Sequence, residues 1–277
     1  MTSTIFHVTH RKAGSQWVAE ILKHCSSPER VVLPKTEERH FLNDPLQPGG
    51  VYLTVYIDRV MFDTVTASFA HPHRKFVIIR DLRDSLISHY FSLRYSHKLL
   101  DAEMERTRHW LSRHTVETGL QFLIGTGNVP SLEEFIHLDN HYRSINFAQL
   151  PQSDFVAWLS HRLVRIAYIQ LTWLALPLDY LLIRYEDLVT DEYRYFTDII
   201  HYCQLDVDLK HLRNVITRNT FHAVTGRKPG QQDILIHQRK GIVGDWRNYF
   251  TSRVKDAFKQ RFGEILVKTG YESNLDW

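Results

Sequence analysis

The chain has 277 residues, of which 43% are hydrophobic and 12% aromatic, enough to build one sizeable core with elaborations. Its 34 Lys and Arg residues barely exceed its 31 Asp and Glu residues, a balance that argues against a general nucleic-acid binder and leaves room for a local basic pocket. The only two cysteines, Cys25 and Cys203, indicate neither a disulfide scaffold nor a zinc site. We therefore expect a cytoplasmic protein without a structural metal.

Neither the start of the chain nor its longest apolar stretch has the pattern of a targeting or membrane signal. The first residues are polar and lead directly into a strand pattern, unlike a signal peptide. The apolar stretch, about Ile166–Ile183, is interrupted by Gln170, Pro177 and Asp179. This pattern predicts a buried helix, a break and a strand, and no transmembrane segment.

Short apolar runs alternate with helical patterns along the chain. The runs predict four buried strands: Thr4–Thr9, Val51–Ile57, Lys75–Arg80 and Tyr180–Arg184. The helical patterns cover Gly14–His24, Asp81–Tyr95, Ser131–His141, Asp154–Leu176, Glu192–Tyr202, Leu209–Ile216 and Ser252–Thr269. This alternation predicts an α/β fold, with a central parallel β-sheet flanked by helices. We expect a single domain over residues 1–277, in which about 99–150 form a helical insertion or acceptor-site lid.

The segment His10–Trp17, H-R-K-A-G-S-Q-W, joins the first predicted strand to the first helix. A helix N-terminus attracts anions, because its first N–H groups have no partner within the helix and its dipole favours negative charge. Gly14 allows close backbone approach, and Lys12 adds a mobile cation. The segment is not the nucleotide-triphosphate P-loop, whose lysine follows a longer glycine-rich run. The alternative is a solvated basic turn.

A second candidate anion site begins at Arg80, at the carboxyl edge of the predicted sheet, where ligands bind in open α/β folds. Asp81 caps the next helix, and Ser85 and Ser88 follow on one face of it. An arginine at the strand tip and a serine along the helix are suited to bracketing a phosphate. The alternative is that Arg80 pairs with Asp81 or Asp84 and the serines are solvated.

Two later segments complete the pattern. Arg239-Lys240-Gly241, followed by Gly244-Asp245-Trp246, combines two cations, two glycines and a helix start, which suits a phosphate clamp. Tyr185 follows the last predicted strand, where its ring is placed either to meet a purine or to pack.

These four segments, in this order, resemble the sulfotransferases that use 3′-phosphoadenosine-5′-phosphosulfate (PAPS), over about residues 5–250. H-R-K-A-G-S-Q-W is similar to the family's 5′-phosphosulfate loop, Y-P-K-S-G-T-x-W, and R-K-G-x-x-G-D-W recurs at Arg239–Trp246. The resemblance implies a P-loop-like fold, PAPS as co-substrate, no metal, and Lys12 as the catalytic lysine. It also implies the donor-binding residues Lys12, Ala13, Gly14, Ser15, Gln16, Trp17, Arg80, Ser88, Tyr185, Thr220, Phe221, Arg239, Lys240 and Gly241.

Some positions depart from the family pattern. Arg11 replaces the proline of the loop, and Gln16 replaces its second Ser or Thr while keeping an N–H donor. The family's N-P-x-D becomes D-L-R-D at Asp81–Asp84, which keeps the helix cap. Donor binding is expected to survive these changes.

A second resemblance predicts the general base. Small-molecule members carry a histidine in a T-H-x-P segment, and the comparable stretch Leu53–Asp58 has none. Carbohydrate-sulfating members use the glutamate of K-E-x-H-F-F, which Glu38-Arg39-His40-Phe41 resembles. We therefore expect Glu38 to be the base, with His40 second and Asp58 third; the alternative is a solvated charge run.

The resemblance predicts transfer of a sulfuryl group to a hydroxyl or amine of a small-molecule, lipid-like or sugar acceptor. Two other functions stay open at this point: a nucleotide-dependent phosphotransferase of related fold, and a non-catalytic nucleotide-binding module. A phosphotransferase would need a longer glycine-rich loop and a carboxylate for Mg²⁺ near Lys12, and neither is evident. The C-terminal helix and tail leave both a monomer and a homodimer open.

Overall fold

The described strands form a five-stranded parallel sheet, from Thr4 of the first strand to Arg184 of the last. The computed structural model describes residues 2–33, 45–99, 102–131, 133–138, 152–175 and 179–277. The strands are β1 Thr4–Thr9, β2 Val31–Val32, β3 Val51–Val55, β4 His73–Ile79 and β5 Leu181–Arg184. All neighbouring pairs are parallel, in the order β2-β3-β1-β4-β5. The predicted α/β fold with a central parallel sheet is confirmed.

Helices fill most of the remaining described chain. Their bounds are α1 Ser15–His24, α2 Arg59–Thr66, α3 Leu82–Phe91, α4 Ala102–Ser112, α5 Val116–Ile124, α6 133–138, α7 Gln152–Leu174, α8 Tyr185–Thr190, α9 Glu192–Cys203, α10 Leu209–Arg218, α11 Phe221–Thr225 and α12 Ser252–Lys268. The 3₁₀ turns at Pro28–Arg30 and Asp245–Asn248 and a π-helical turn at Ser92–Ser96 complete the set.

The chain divides into two compact units, of which the first comprises Met1–Arg80 and Thr172–Pro229 and contains the whole sheet. Its core lies between the strands and α1, α9 and α10, where Ile5, Phe76, Phe196 and Leu212 are buried. β1 is buried along its entire length, as expected for the central strand of a parallel sheet. The carboxyl end of β1 is therefore held rigidly.

The second unit comprises Asp81–Leu171 and Gly230–Trp277. Its core is helical: Leu86 and Tyr90 of α3 pack with Leu123 of α5 and with Phe258 and Phe262 of α12. The helices α4, α5 and α6 lie within the stretch 99–150 that we expected to be a helical insertion. Its role as an acceptor-site lid stays a prediction.

The structure differs from the predicted elements mainly at their ends. β2 was not predicted, because a two-residue strand carries no periodicity. The helix expected over Asp81–Tyr95 changes at Ser92 into a π-helical turn, a form that no residue pattern announces. Of the helix expected over Ser131–His141, the structure describes 133–138 as helical, and 139–141 lie outside the described residues.

Candidate functional site

The loop after β1 has the backbone of an anion-binding turn. Lys12 and Gly14 both adopt positive φ, at 73° and 76°, and Gly14 is the N-cap of α1. Gly14 supplies no capping side chain to α1, and the first N–H groups of a helix have no acceptor within the helix itself. Ala13 is buried in the core of the first unit, whereas Gln16 is exposed. The loop thus presents backbone donors at a helix N-terminus.

Arg80 reaches this loop from the end of β4. Its Nη1 donates a hydrogen bond to the carbonyl oxygen of Lys12 across 2.8 Å, and its guanidinium lies 4.3 Å from the ring centre of Tyr185. Only 8% of Arg80 is exposed. The guanidinium emerges at the carboxyl edge of the sheet as the sequence predicted, and it braces the positive-φ residue Lys12.

Tyr185 covers the glycine of the loop. A Cβ placed on Gly14 would lie 2.6 Å from Cε2 of Tyr185, so no side chain fits there without displacing the ring. Trp17 packs edge-on against Tyr185 and Phe196, with ring centres 6.5 and 5.3 Å apart. The structure shows Tyr185 packed against the loop, and its role toward a purine stays a prediction.

Ser15, the first residue of α1, is hydrogen-bonded through its Oγ to the phenol oxygen of Tyr56, 2.7 Å away. Tyr56 follows β3, the strand adjacent to β1, and sequence reasoning missed it. In the sequence Tyr56 falls inside the predicted strand Val51–Ile57, near the edge where parallel sheets bind ligands, and nothing there marks it as the partner of Ser15. Asp58, our third choice of base, caps α2 by accepting a hydrogen bond from the N–H of Met61, and its role as base stays a prediction.

His10 is a fully buried, neutral imidazole beside the loop. Burial lowers its pKa to about 4; a hydrogen bond between Nδ1 and the carbonyl of Arg11 works against this shift, and the charge of Arg80 adds to it. The side chain is 0% exposed, so it supports the loop and does not face solvent. The loop backbone is therefore packed on a residue that stays uncharged at neutral pH.

The second unit carries four of the predicted donor-binding residues: Ser88, Arg239, Lys240 and Gly241. Asp81 caps α3 as predicted, and Arg83 donates to its carboxylate. Ser88 is half-buried, whereas Ser85 is fully buried, unlike the solvated serines of our alternative. Asp84 accepts hydrogen bonds from the N–H groups of Gly244 and Trp246, at 2.6 and 3.0 Å. The start of α3 therefore anchors the R-K-G-x-x-G-D-W loop.

Both cations of that loop pair with its own aspartate. Arg239 and Lys240 donate to the carboxylate of Asp245, which is 2% exposed. Burial raises the pKa of Asp245, but the hydrogen bonds from Lys240, Arg239 and Asn248 outweigh burial and leave the pKa below its usual value. The ionised carboxylate thus fixes the two cations, and Gly241, with φ of 64°, allows the turn beside them.

The remaining predicted residues are local in their contacts or undescribed. Thr220 caps α11 by accepting a hydrogen bond from Ala223, and Phe221 lies beneath the guanidinium of Arg227 at 5.1 Å. Neither contact tests the expected role near adenine. Glu38 and His40 lie outside the described residues.

The described residues contain neither a metal-binding cluster nor a helix that could span a membrane. Within the described ranges, no group of three His, Cys, Asp or Glu side chains is placed to hold a metal ion. In the same part of the chain, no helix is both long and apolar enough to cross a membrane.

Comparison with known proteins agrees with this arrangement. A family model for the sulfotransferase domain matches residues 2–270. Among solved structures, mouse sulfotransferase SULT7A1 complexed with PAP matches with a TM-score of 0.59 and 18% identity, over 95% of this chain and 84% of that chain. At this identity the likeness shows the fold. No curated protein matches the chain by sequence. The family match covers nearly the whole chain, and the chain therefore belongs to the sulfotransferase family.

Proposed function

We propose that this sulfotransferase moves the sulfuryl group of PAPS to a hydroxyl or amine of its acceptor. The observation that carries the proposal is the contact set around Gly14, in which Arg80 braces the carbonyl of Lys12 and Tyr185 closes over the glycine. This set presents a positive-φ lysine, a buried arginine and a helix N-terminus at one sheet edge. Such a combination favours a doubly charged group of phosphate type.

The 5′ end of the donor is assigned to the loop of the first unit. The N–H groups of Gly14, Ser15 and Gln16 lie at the start of α1, where Gly14 is the N-cap. The hydroxyl of Ser15 adds a side-chain donor. Gly14 has no Cβ, so the loop keeps its positive φ of 76° there and the ring of Tyr185 packs directly on its backbone. Trp17, Tyr185 and Phe221 supply aromatic surface for the adenine. Thr220, the residue before Phe221, is assigned to the same part of the site.

We assign the 3′-phosphate to Arg80 and Ser88, as the family resemblance implies. Arg239, Lys240 and Gly241 of the R-K-G-x-x-G-D-W loop are assigned to the same phosphate. Hydrogen bonds to the carboxylate of Asp245 fix the side chains of Arg239 and Lys240. A fixed cation binds a phosphate with less loss of side-chain entropy than a mobile one. We propose that both units form one sulfotransferase domain, because the family model runs from residue 2 to 270.

Lys12 would stabilise the transition state through its charge. When bound, PAPS supplies an activated sulfuryl group whose bond to the 5′-phosphate oxygen breaks as the acceptor attacks sulfur in line. The electron pair of that bond stays on the phosphate oxygen, and the Lys12 ammonium neutralises the charge that builds there. Glu38 takes the proton of the acceptor hydroxyl or amine, with His40 as the second choice.

The acceptor, the oligomer and the location stay predictions. Small-molecule, lipid-like and sugar acceptors are the three classes that the sequence favours, and a homodimer is one of two assemblies left open. We propose a cytoplasmic location, supported by the free, buried thiols of Cys25 and Cys203, since reducing compartments preserve such thiols.

Calorimetric titration tests the donor. Adenosine 3′,5′-bisphosphate (PAP), 5′-AMP and ATP are titrated into the wild type and into Arg80→Ala, whose folding is checked by thermal unfolding. Binding of PAP at least about tenfold tighter than ATP, lost in Arg80→Ala, supports the proposal. Equal or tighter binding of ATP would sink it and favour a phosphotransferase.

Turnover tests the two chemical roles. Lys12→Met is expected to lower kcat by about 10²- to 10³-fold, as loss of one group that stabilises developing charge does elsewhere. Lys23→Met, at an exposed position of α1, is the matched control and should leave kcat unchanged. Glu38→Gln is expected to lower kcat by about 10²-fold or more, without weakening PAP binding. Unchanged kcat in both Glu38→Gln and His40→Gln would reject the base assignment.

A non-catalytic nucleotide-binding module is the outcome in which PAP binds and no acceptor of the three classes is sulfated. Radiolabelled sulfate transfer to a phenol, a long-chain alcohol and an oligosaccharide provides that comparison. Release of PAP that depends on one acceptor class identifies the substrate.

A further inference from the structure

The hydroxyl of Tyr56 lies within hydrogen-bond distance of the Oγ of Ser15. The two oxygens are 2.7 Å apart, a normal distance for an O–H···O hydrogen bond. Ser15 is 6% exposed at the start of α1, and Tyr56 is half-buried. The pair joins the residue after β3 to the helix that follows β1.

The direction of this hydrogen bond is open in the free protein, because either hydroxyl can donate. An anion at the start of α1 changes that. A phosphate or sulfate oxygen only accepts, so the Ser15 hydroxyl has to point its proton at the anion. The Oγ of Ser15 can then be only the acceptor of the bond to Tyr56, and Tyr56 has to donate.

A hydroxyl that accepts a hydrogen bond becomes a better donor, since the bonds in such a chain polarise one another. Tyr56 also holds the Ser15 side chain in one rotamer, so that less side-chain entropy is lost when the anion binds. Both effects act on the 5′ end of the donor. Neither acts on groups that bind elsewhere.

We infer that Tyr56 is a positioning residue for the donor's 5′ group, acting through Ser15 as a directed chain from phenol to serine to anion. This inference rests on the proposed function, because it takes the anion to be the 5′-phosphate of PAP or the 5′-phosphosulfate of PAPS. It assigns a function to a residue that carries no family motif in the sequence.

Calorimetry with two ligands separates this role from a structural one. PAP carries both phosphates, whereas adenosine 3′-monophosphate lacks the 5′ group. Tyr56→Phe should weaken PAP binding by about 3- to 10-fold, the range for one hydrogen bond of modest net strength, and leave the affinity for adenosine 3′-monophosphate unchanged. A merely structural contribution of the phenol would weaken both ligands alike.

A double-mutant cycle tests the coupling to Ser15. Ser15→Ala is expected to weaken PAP binding by about 10- to 100-fold, as loss of a bond to a charged acceptor does. In the Ser15→Ala background, Tyr56→Phe should change the affinity for PAP by less than about twofold. Full additivity of the two changes would overturn the inference.

Tyr52→Phe is the matched control. Tyr52 lies on β3, the strand that Tyr56 follows, and it is 7% exposed. Its phenol oxygen accepts a hydrogen bond from the N–H of Gln47 at 2.8 Å. This variant should unfold at a lower temperature and bind PAP as the wild type does. Equal weakening of PAP binding in Tyr52→Phe and Tyr56→Phe would mean that any lost phenol loosens the sheet edge, against the inference.

The wild type alone decides the underlying function. If it binds PAP no tighter than adenosine 3′-monophosphate, there is no 5′ site and the proposed function fails. If it binds PAP much more tightly and Tyr56→Phe matches it, only the role of Tyr56 is rejected.

Discussion

Arg80 donates a hydrogen bond to the carbonyl oxygen of Lys12 across 2.8 Å, which ties the end of β4 to the loop after β1. Lys12 has φ of 73°, a conformation that costs a residue with a Cβ about 1 kcal/mol or more. The bond from Arg80 helps to hold the loop in that conformation. The residue that we assign to the 3′-phosphate therefore also shapes the backbone of Lys12, the proposed catalytic lysine.

Arg80→Lys tests this dual role. A lysine keeps the charge but loses the planar fork that stacks on Tyr185 and reaches the carbonyl of Lys12. We expect PAP affinity to fall by about 10-fold or more, measured by calorimetry. Arg74→Lys is the control, because Arg74 is also on β4 and lies 5.6 Å from the ring centre of Tyr202. Wild-type affinity in Arg80→Lys would show that charge alone suffices.

Gly14→Ala isolates the close approach of Tyr185. The new Cβ would lie 2.6 Å from the ring and would also adopt φ of 76°. Gly226→Ala has the same backbone cost at φ of 71° and meets nothing within 4 Å. We expect the control to lose about 1 kcal/mol of unfolding free energy and Gly14→Ala about 1–3 kcal/mol more, by urea unfolding. Equal losses in the two variants would contradict the packing of Tyr185 on the loop.

Asp84→Asn tests whether Asp84 anchors the R-K-G-x-x-G-D-W loop. Its buried carboxylate accepts from the N–H groups of Gly244 and Trp246, and an amide can offer only one oxygen to the pair. We expect the unfolding free energy to fall by about 2–4 kcal/mol, because one of the two N–H groups loses a charged acceptor. Asp256→Asn, at an exposed position of α12, should stay within about 0.5 kcal/mol of wild type. A neutral Asp84→Asn would reject the anchor.

His7 predicts acid sensitivity. Burial lowers its pKa from 6.5 to about 4, and the hydrogen bond with the carbonyl of Leu53 offsets part of that shift. Below pH 6.5 the unfolded chain binds a proton that the folded chain rejects. This contribution to stability is therefore complete above pH 6.5 and is lost as the pH falls towards 4. Each pH unit in that window costs about 1.4 kcal/mol per buried imidazole.

His7→Gln should remove the share of this pH dependence that His7 contributes. We expect the difference in unfolding free energy between pH 7 and pH 5 to be about 1–2 kcal/mol smaller in His7→Gln than in wild type, from urea unfolding at each pH. His201→Gln, at an exposed position of α9, is the control and should keep the wild-type slope. An unchanged slope in His7→Gln would mean that His7 is not buried in the neutral form. His10 is expected to act in the same direction.

Local patterns in the sequence were sufficient for much of this protein. Apolar runs located β1, β3, β4 and β5, because a strand buried on both faces needs continuous apolar side chains. The cap at Asp81 and the glycine at the start of α1 could be read from residue type, since caps and positive φ depend on the nearest neighbours. Adjacent motifs in the right order also sufficed for the family.

Tertiary structure alone decided which side chains meet. Ser15 and Tyr56 are 41 positions apart, and Asp84 and Gly244 are 160 apart. A single hydroxyl or carboxylate has no periodicity, so nothing in the sequence selects its partner. Even the choice for Arg80 between an aspartate and a ligand missed its bond to the Lys12 carbonyl, a backbone group that every residue carries. Such contacts arise only when the strand order brings the carboxyl ends of β4, β1 and β3 to one edge.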